Sequence, residues 1–186
     1  MANRVDDARF RKNQKALFTA LIKISNSNHY DFDVRPNTVY RLAKVSRSTF
    51  RRHYRKVSRI FEDEDEKLIN RFAELNFKNL TFEQIWYKVL LFILKNREFF
   101  LMKINKGDDR LIVAMMRCLY GKTDFGWGNY DTITLDRILT MCTSEVFALL
   151  KIWADNELLI DQMKWYAVRF AQVVETADKR WGSLVK

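Results

Sequence analysis

Apolar residues recur at helical spacing along nearly the whole chain. Between Arg9 and Ser25, Ala16, Leu17, Ala20, Leu21 and Ile24 form one stripe and predict a helix. The turn-rich stretch SNSNHYD (25–31) ends it. Pro36 stands where a helix accepts proline, in its first turn, and Val39, Leu42 and Ala43 follow, so a short helix is expected over 36–43. Lys44-Val45 makes a tight connection, and Ser46 caps a second short helix, SRSTFRRHYRK. There Phe50 and Tyr54 lie one turn apart and face a core, leaving Arg47, Arg51, Arg52 and Arg55 largely outside. Ser58 is expected to cap a helix reaching about Asn76, with Leu68, Phe72 and Leu75 inside. The EDEDE run (62–66) near its start suits the helix dipole and reads as a solvated face.

Thr81 and Gln84 form a capping box. The helix it opens runs to about Ile104 and is apolar on nearly every side, which marks a central helix. Asp108 or Asp109 opens the next, with Leu111, Ile112, Met115, Cys118 and Leu119 inside and Gly121 as its C-terminal stop. GKTDFGWGNYD (121–131) reads as a loop. Two long helices close the chain, over about 133–154 and 158–181, joined by Asp155-Asn156-Glu157. No alternating strand pattern of useful length occurs, and one proline with five glycines is too few for a turn-rich β fold. The expected fold is all-α.

Composition narrows the class. Hydrophobic residues make up 48% and charged residues 30% of 186, an ordinary globular balance. The longest purely apolar run, VLLFIL (89–94), is far short of a membrane span, and MANRVDDARFRKNQ holds no signal-peptide core. A cytoplasmic protein with no membrane partner is expected. Cys118 and Cys142 sit in apolar helical patterns and read as free thiols. Two histidines without paired Cys/His spacing argue against zinc, so no metal and no cofactor is expected. No G-x-S-x-G, P-loop, dinucleotide fingerprint or H-E-x-x-H occurs, so no catalytic residues and no enzyme are expected.

Charge changes the picture most. The chain carries a net +10, yet residues 1–60 hold fifteen basic against four acidic residues, and the rest eighteen against nineteen. A basic head on a neutral body is the footprint of a polyanion binder. Two short helices joined abruptly, the second rich in arginine, make a helix-turn-helix candidate, whose second helix fits the DNA major groove. The domains expected are a head over 1–57 and a helical body over 58–186.

TVYRLAKVSRSTFRRHYRK (38–56) resembles the helix-turn-helix of the tetracycline-repressor (TetR) family, whose pattern runs roughly I-A-x-x-A-G-V-S-x-G-T-x-Y-x-H-F. Val39, Ala43, Val45, Ser46, Thr49, His53 and Tyr54 match it. Lys44 and Ser48 replace its glycines, and Arg51 its tyrosine. A lysine at the turn must tolerate a left-handed backbone, at about 1 kcal/mol. The resemblance implies a three-helix DNA-binding head on a ligand-binding and dimerisation bundle. It implies a regulator, a repressor, acting as a homodimer on a near-palindromic double-stranded DNA operator. It places Arg47, Ser48 and Arg52 nearest the bases, and Thr49, Arg51, His53 and Lys56 at the backbone. It also implies a small apolar effector, for which Trp86, Tyr87, Met102, Met115, Met116, Tyr120 and Trp127 are the candidate lining, although an aromatic or Met residue on a helix is more often plain core. Leu149, Trp153, Phe170 and Val173 are the candidate dimer seam. Two other readings stay open: a relative that lost operator binding and acts through protein partners, and a helical enzyme or lipid-binding protein built on the aromatic body.

Overall fold

The computed structural model describes residues 4–27, 34–123 and 131–182. The regular structure of these residues is entirely helical: α1 (Arg4–Ser27), α2 (Pro36–Leu42), α3 (Arg47–His53), α4 (Ser58–Ala73), α5 (Phe82–Lys95), α6 (Arg97–Asn105), α7 (Arg110–Lys122), α8 (Thr132–Asp155) and α9 (Met163–Gly182), with a 3-10 turn at Ile160–Gln162. No helix among the described residues is long and apolar enough to cross a membrane. The chain divides into two compact units, 1–68 and 69–186, whose boundary falls inside α4 rather than at 57/58. The reason is packing: the first half of α4 supplies Ile60 and Phe61 to the core of the first unit.

That core gathers Leu17, Leu21 and Ile24 of α1, Val39 of α2, Phe50 of α3, Tyr54 and Ile60. The connection from α2 to α3 is closed by backbone bonds. The Lys44 N–H donates to the Arg41 carbonyl at 3.0 Å, and the Val45 N–H to the Tyr40 carbonyl at 2.9 Å. Such a close demands a left-handed residue, and Lys44 takes it with φ 54°. Ser46 then caps α3, its hydroxyl accepting from the Thr49 N–H at 3.1 Å.

In the second unit α5 packs on α9, α9 on α8, and α8 on α6 and α7. Trp86 of α5 meets Phe170 of α9 with ring centroids 5.0 Å apart. The Thr81–Gln84 capping box forms as the sequence predicts. Elsewhere local hydrogen bonds move the boundaries. The expected continuous helix over 82–104 breaks at Asn96, whose side-chain amide donates to the Phe92 carbonyl at 2.7 Å, displacing a backbone partner. α7 runs through Gly121, because the Thr123 N–H and hydroxyl both bond the Leu119 carbonyl and no left-handed stop is needed. Ser58 begins α4 rather than capping it, so EDEDE starts beyond its first turn. α9 starts at Met163, not 158: Glu157 and Leu158 are both left-handed, and the Trp153 indole N–H holds the Leu159 carbonyl at 3.1 Å.

The Lys103–Asp108 ion pair is largely buried. Lys103, 3% exposed, donates to Asp108 at 2.9 Å and lies over the Phe99 ring. Hydrogen bonds from Arg110, opposed by burial and reinforced by Lys103, hold the Asp108 carboxyl well below the usual carboxylate range.

Two predictions follow from these local bonds. Lys44→Gly removes the left-handed penalty and should stabilise the fold by about 0.5–1 kcal/mol, read as a higher thermal midpoint. An unchanged or lower midpoint would show that the turn is unstrained. Asp108→Asn removes the carboxylate that accepts from both Lys103 and Arg110 and should destabilise by about 2–3 kcal/mol at pH 7. Because the folded pKa is depressed, the stabilisation is complete above the ordinary carboxylate pKa of about 4 and lost as pH falls through the folded value. The two proteins should therefore converge in denaturant midpoint as the solution is acidified; a gap that persists unchanged at pH 2 contradicts this.

Candidate nucleic-acid interface

Phe50 faces inward from α3, and Tyr54, just past its end, is equally buried. They orient everything else on this segment. Arg47, Ser48, Arg51 and Arg52 are exposed, Thr49 and His53 are half-buried, and Arg55 and Lys56 are exposed where the chain leaves the helix. Arg47, Arg51, Arg52, Arg55 and Lys56 make no ion pair with any described residue. Arg59 is different, since Glu62 holds its guanidinium at 2.7 Å.

The hydroxyls at the start of α3 are turned toward the cap. Ser48 Oγ lies 2.9 Å and Thr49 Oγ1 2.8 Å from Ser46 Oγ. Ser48 remains exposed, so its second hydrogen-bonding position faces water. His53 packs edge-on against Phe10, centroids 4.5 Å apart. Burial, then the adjacent Arg52, lower its pKa from the ordinary histidine value, so at neutral pH it is an uncharged hydrogen-bonding group. The seven residues singled out in the sequence thus fall into three kinds. Arg51, Arg52, Arg47 and Lys56 are free cations, Ser48 and Thr49 are hydroxyls at the helix start, and His53 is a neutral wedge.

Tyr54 ties this segment to its neighbours. Its hydroxyl engages Gln14 of α1 and Asp63 of α4, and the Gln14 amide donates to Asp63 at 3.2 Å. Burial first, then Asp63, push the phenol above its ordinary value, so it stays a neutral donor.

The candidate effector residues do not share one cavity. Trp86, Met115 and Met116 line a void of about 10 Å³ with Val89, Ile93, Ile112, Leu119, Val146 and Leu150. That holds about one water and no effector. Tyr87, Met102 and Tyr120 lie outside its lining, and Trp127 falls outside the described residues. Met102 is core, 2% exposed. A larger hollow in this unit, an open crevice of about 810 Å³, is lined by Phe77–Phe82, Glu83, Ile85, Lys122, Thr123 and Glu175.

The candidate dimer seam is corrected in part. Trp153 and Phe170 are fully buried within the single chain, against Tyr166 and Trp86. They hold α8 and α9 to their own bundle and have no surface to offer a second copy. Leu149 and Val173 are half-buried. Among the described side chains, the large apolar ones these helices leave in water are Ile133, Met141 and Ile152 on α8 and Trp165 on α9. Met141 and Ile152 are three turns apart and share one face of α8. A hydrophobic pattern marks both sets alike, so sequence alone does not separate side chains buried in their own bundle from those left exposed. Leu42, which the pattern groups with Val39 and Ala43, is left exposed by α2.

Comparisons of the chain with protein-family models, with curated proteins and with solved structures return no match.

Proposed function

We propose that the chain is a DNA-binding transcriptional regulator of the tetracycline-repressor type, a repressor that binds a near-palindromic duplex operator as a homodimer. The observation that carries this reading is α3. It is a short helix pinned from below by Phe50 and Tyr54, presenting arginines that no carboxylate among the described residues neutralises. Unpaired cations on a rigid helix suit the major groove. Arg47, Ser48 and Arg52 read base edges, while Arg51, Lys56, Thr49 and the neutral His53 contact the phosphate backbone. α2, its left-handed Lys44 close and α3 form the helix-turn-helix, with α1 as the third helix of the head. In this reading a small apolar effector enters the body by parting the side chains around Trp86, Met115 and Met116, since the closed form leaves room there for about one water.

Selection of bound sites from random duplex DNA tests the reading and returns the operator. On the selected site, Arg47→Ala or Arg52→Ala should weaken binding by about 1–3 kcal/mol and relax preference at one base pair. Arg51→Ala or Lys56→Ala should weaken all duplexes alike and lower the salt slope by about one. If all four variants bind as the parent does, α3 is not the reading helix.

A two-fold dimer presents two reading helices, so half-sites should lie about 10 bp apart or somewhat more. Ile152→Glu and Trp165→Glu place a charge on the exposed apolar faces of α8 and α9 without entering the core. Each should give monomers in sedimentation with the thermal midpoint little changed. A parent chain that sediments as a monomer at micromolar concentration rules the dimer out.

A further inference from the structure

α1 has a second face. Its core stripe, Leu17, Leu21 and Ile24, packs on Phe50 of α3. Turned away from that stripe are Lys12, Lys15, Thr19 and Lys23, all exposed. With Ala16 and Ala20 on the flank of α1, and Leu42 and Ala43 at the end of α2, they enclose an open groove of about 440 Å³. Its rim is cationic and its floor is apolar. Among the described residues no acidic side chain lines it, and Lys12, Lys15 and Lys23 make no ion pair with any of them. Leu42, 46% exposed, is the one large apolar side chain that the described part of this unit leaves in water, and it stands in this groove. A lone exposed leucine means little. An exposed leucine on a floor of three alanines, bordered by three unpaired lysines, has a shape and a charge that together select a ligand.

We propose that this groove docks an acidic amphipathic helix of a protein partner, at a surface separate from the DNA-reading face of α3. The chemistry selects that occupant. The small side chains of Ala16, Ala20 and Ala43 let a second helix approach closely, and Leu42 packs between its apolar residues. The lysine heads then meet carboxylates flanking the apolar stripe. Lys12 to Lys23 spans about 16 Å at 1.5 Å per residue, the length of three turns of a partner helix. A duplex would satisfy the lysines but has no apolar face to set on the floor. The lysines also stand on the side of α1 opposite the stripe that packs with Phe50.

The test uses the full chain and a fluorescein-labelled synthetic peptide of about four turns, with leucines on one face and glutamates flanking them. A control peptide has the same composition in an order that destroys the apolar face. By anisotropy, the amphipathic peptide should bind saturably and at least about tenfold tighter than the control. Leu42→Asp, a change at an exposed position, should remove about tenfold of that affinity with the thermal midpoint unchanged. Lys12→Gln/Lys15→Gln/Lys23→Gln should abolish binding, while Arg47→Ala/Arg52→Ala should leave it intact. Saturating duplex DNA should not displace the peptide. The proposal is overturned if the amphipathic peptide does not bind, if the control binds equally well, or if Leu42→Asp has no effect. It is also overturned if duplex displaces the peptide, since the lysines would then belong to one continuous polyanion surface. The arginine variants on α3 separate this result from the DNA reading: they test that reading on duplex and leave the groove untouched.

Discussion

Phe50 and Tyr54 pin a helix of seven residues that would not persist in water without them, since so short a helix cannot offset its own nucleation. Phe50 is sunk among Leu17, Leu21, Ile24 and Val39, and Tyr54 closes the end of α3 with its hydroxyl on Gln14 and Asp63. Ser46 fastens the other end. Held at both ends, α3 leaves Arg47, Ser48, Arg51 and Arg52 exposed to water. That division of labour lets a run as charged as SRSTFRRHYRK be ordered at all. Two aromatic side chains and one hydroxyl hold the backbone, and the arginines contribute nothing to holding it.

The charges are partitioned as deliberately as the packing. The acidic run 62–66 does not neutralise α3. Glu62 is held by Arg59, Asp63 by Gln14, and Glu64 by Lys67, all close to the acids' own helix or to α1. Those three acids are engaged close to their own helix or by α1, and Arg47, Arg51 and Arg52 of α3 and Lys12, Lys15 and Lys23 of α1 make no ion pair with any described residue. Exposed like charges on one unit repel each other by only modest amounts at physiological salt, because water and ions screen them. A partner that replaces that water with phosphate or carboxylate gains from every one of them.

Helix positions and caps were legible in the sequence wherever a residue type has one dominant local use. Ser46, the Thr81–Gln84 box, Pro36 and the left-handed Lys44 turn all stand as the pattern implied. Legibility failed where a side chain had two uses of similar energy. Asn96 reads as a tolerated helical residue, yet its amide takes the Phe92 carbonyl and breaks the helix. Gly121 reads as a stop, yet Thr123 supplies the bonds a stop would have supplied. The apolar residues of α8 and α9 failed for a different reason. Periodicity shows that Trp153 and Phe170 must leave water, and their own bundle already provides for that. The side chains available to another chain are the weaker-patterned Ile133, Met141, Ile152 and Trp165. The effector candidates repeat the lesson, because Met102, Met115 and Met116 are buried by neighbours that fill the space around them.

Two cationic surfaces on one small unit need not have the same use. On α3 the arginines stand among hydroxyls, and the apolar residues of that segment are turned inward to the core. Such a surface can hydrogen-bond phosphate and base edges, and it offers nothing to a hydrophobic side chain. In the groove beside α1 the cations are lysines, each a compact charge on a flexible apolar stem, and they border alanines and an exposed leucine. Planar, bidentate guanidinium groups favour the fixed geometry of nucleic acid, whereas lysine stems fold down over an apolar contact and keep their charge at its edge. The residue types therefore separate the two faces even though their net charges agree. The same helix, α1, supports both, because its buried stripe carries Phe50 while its opposite side is left to the lysines.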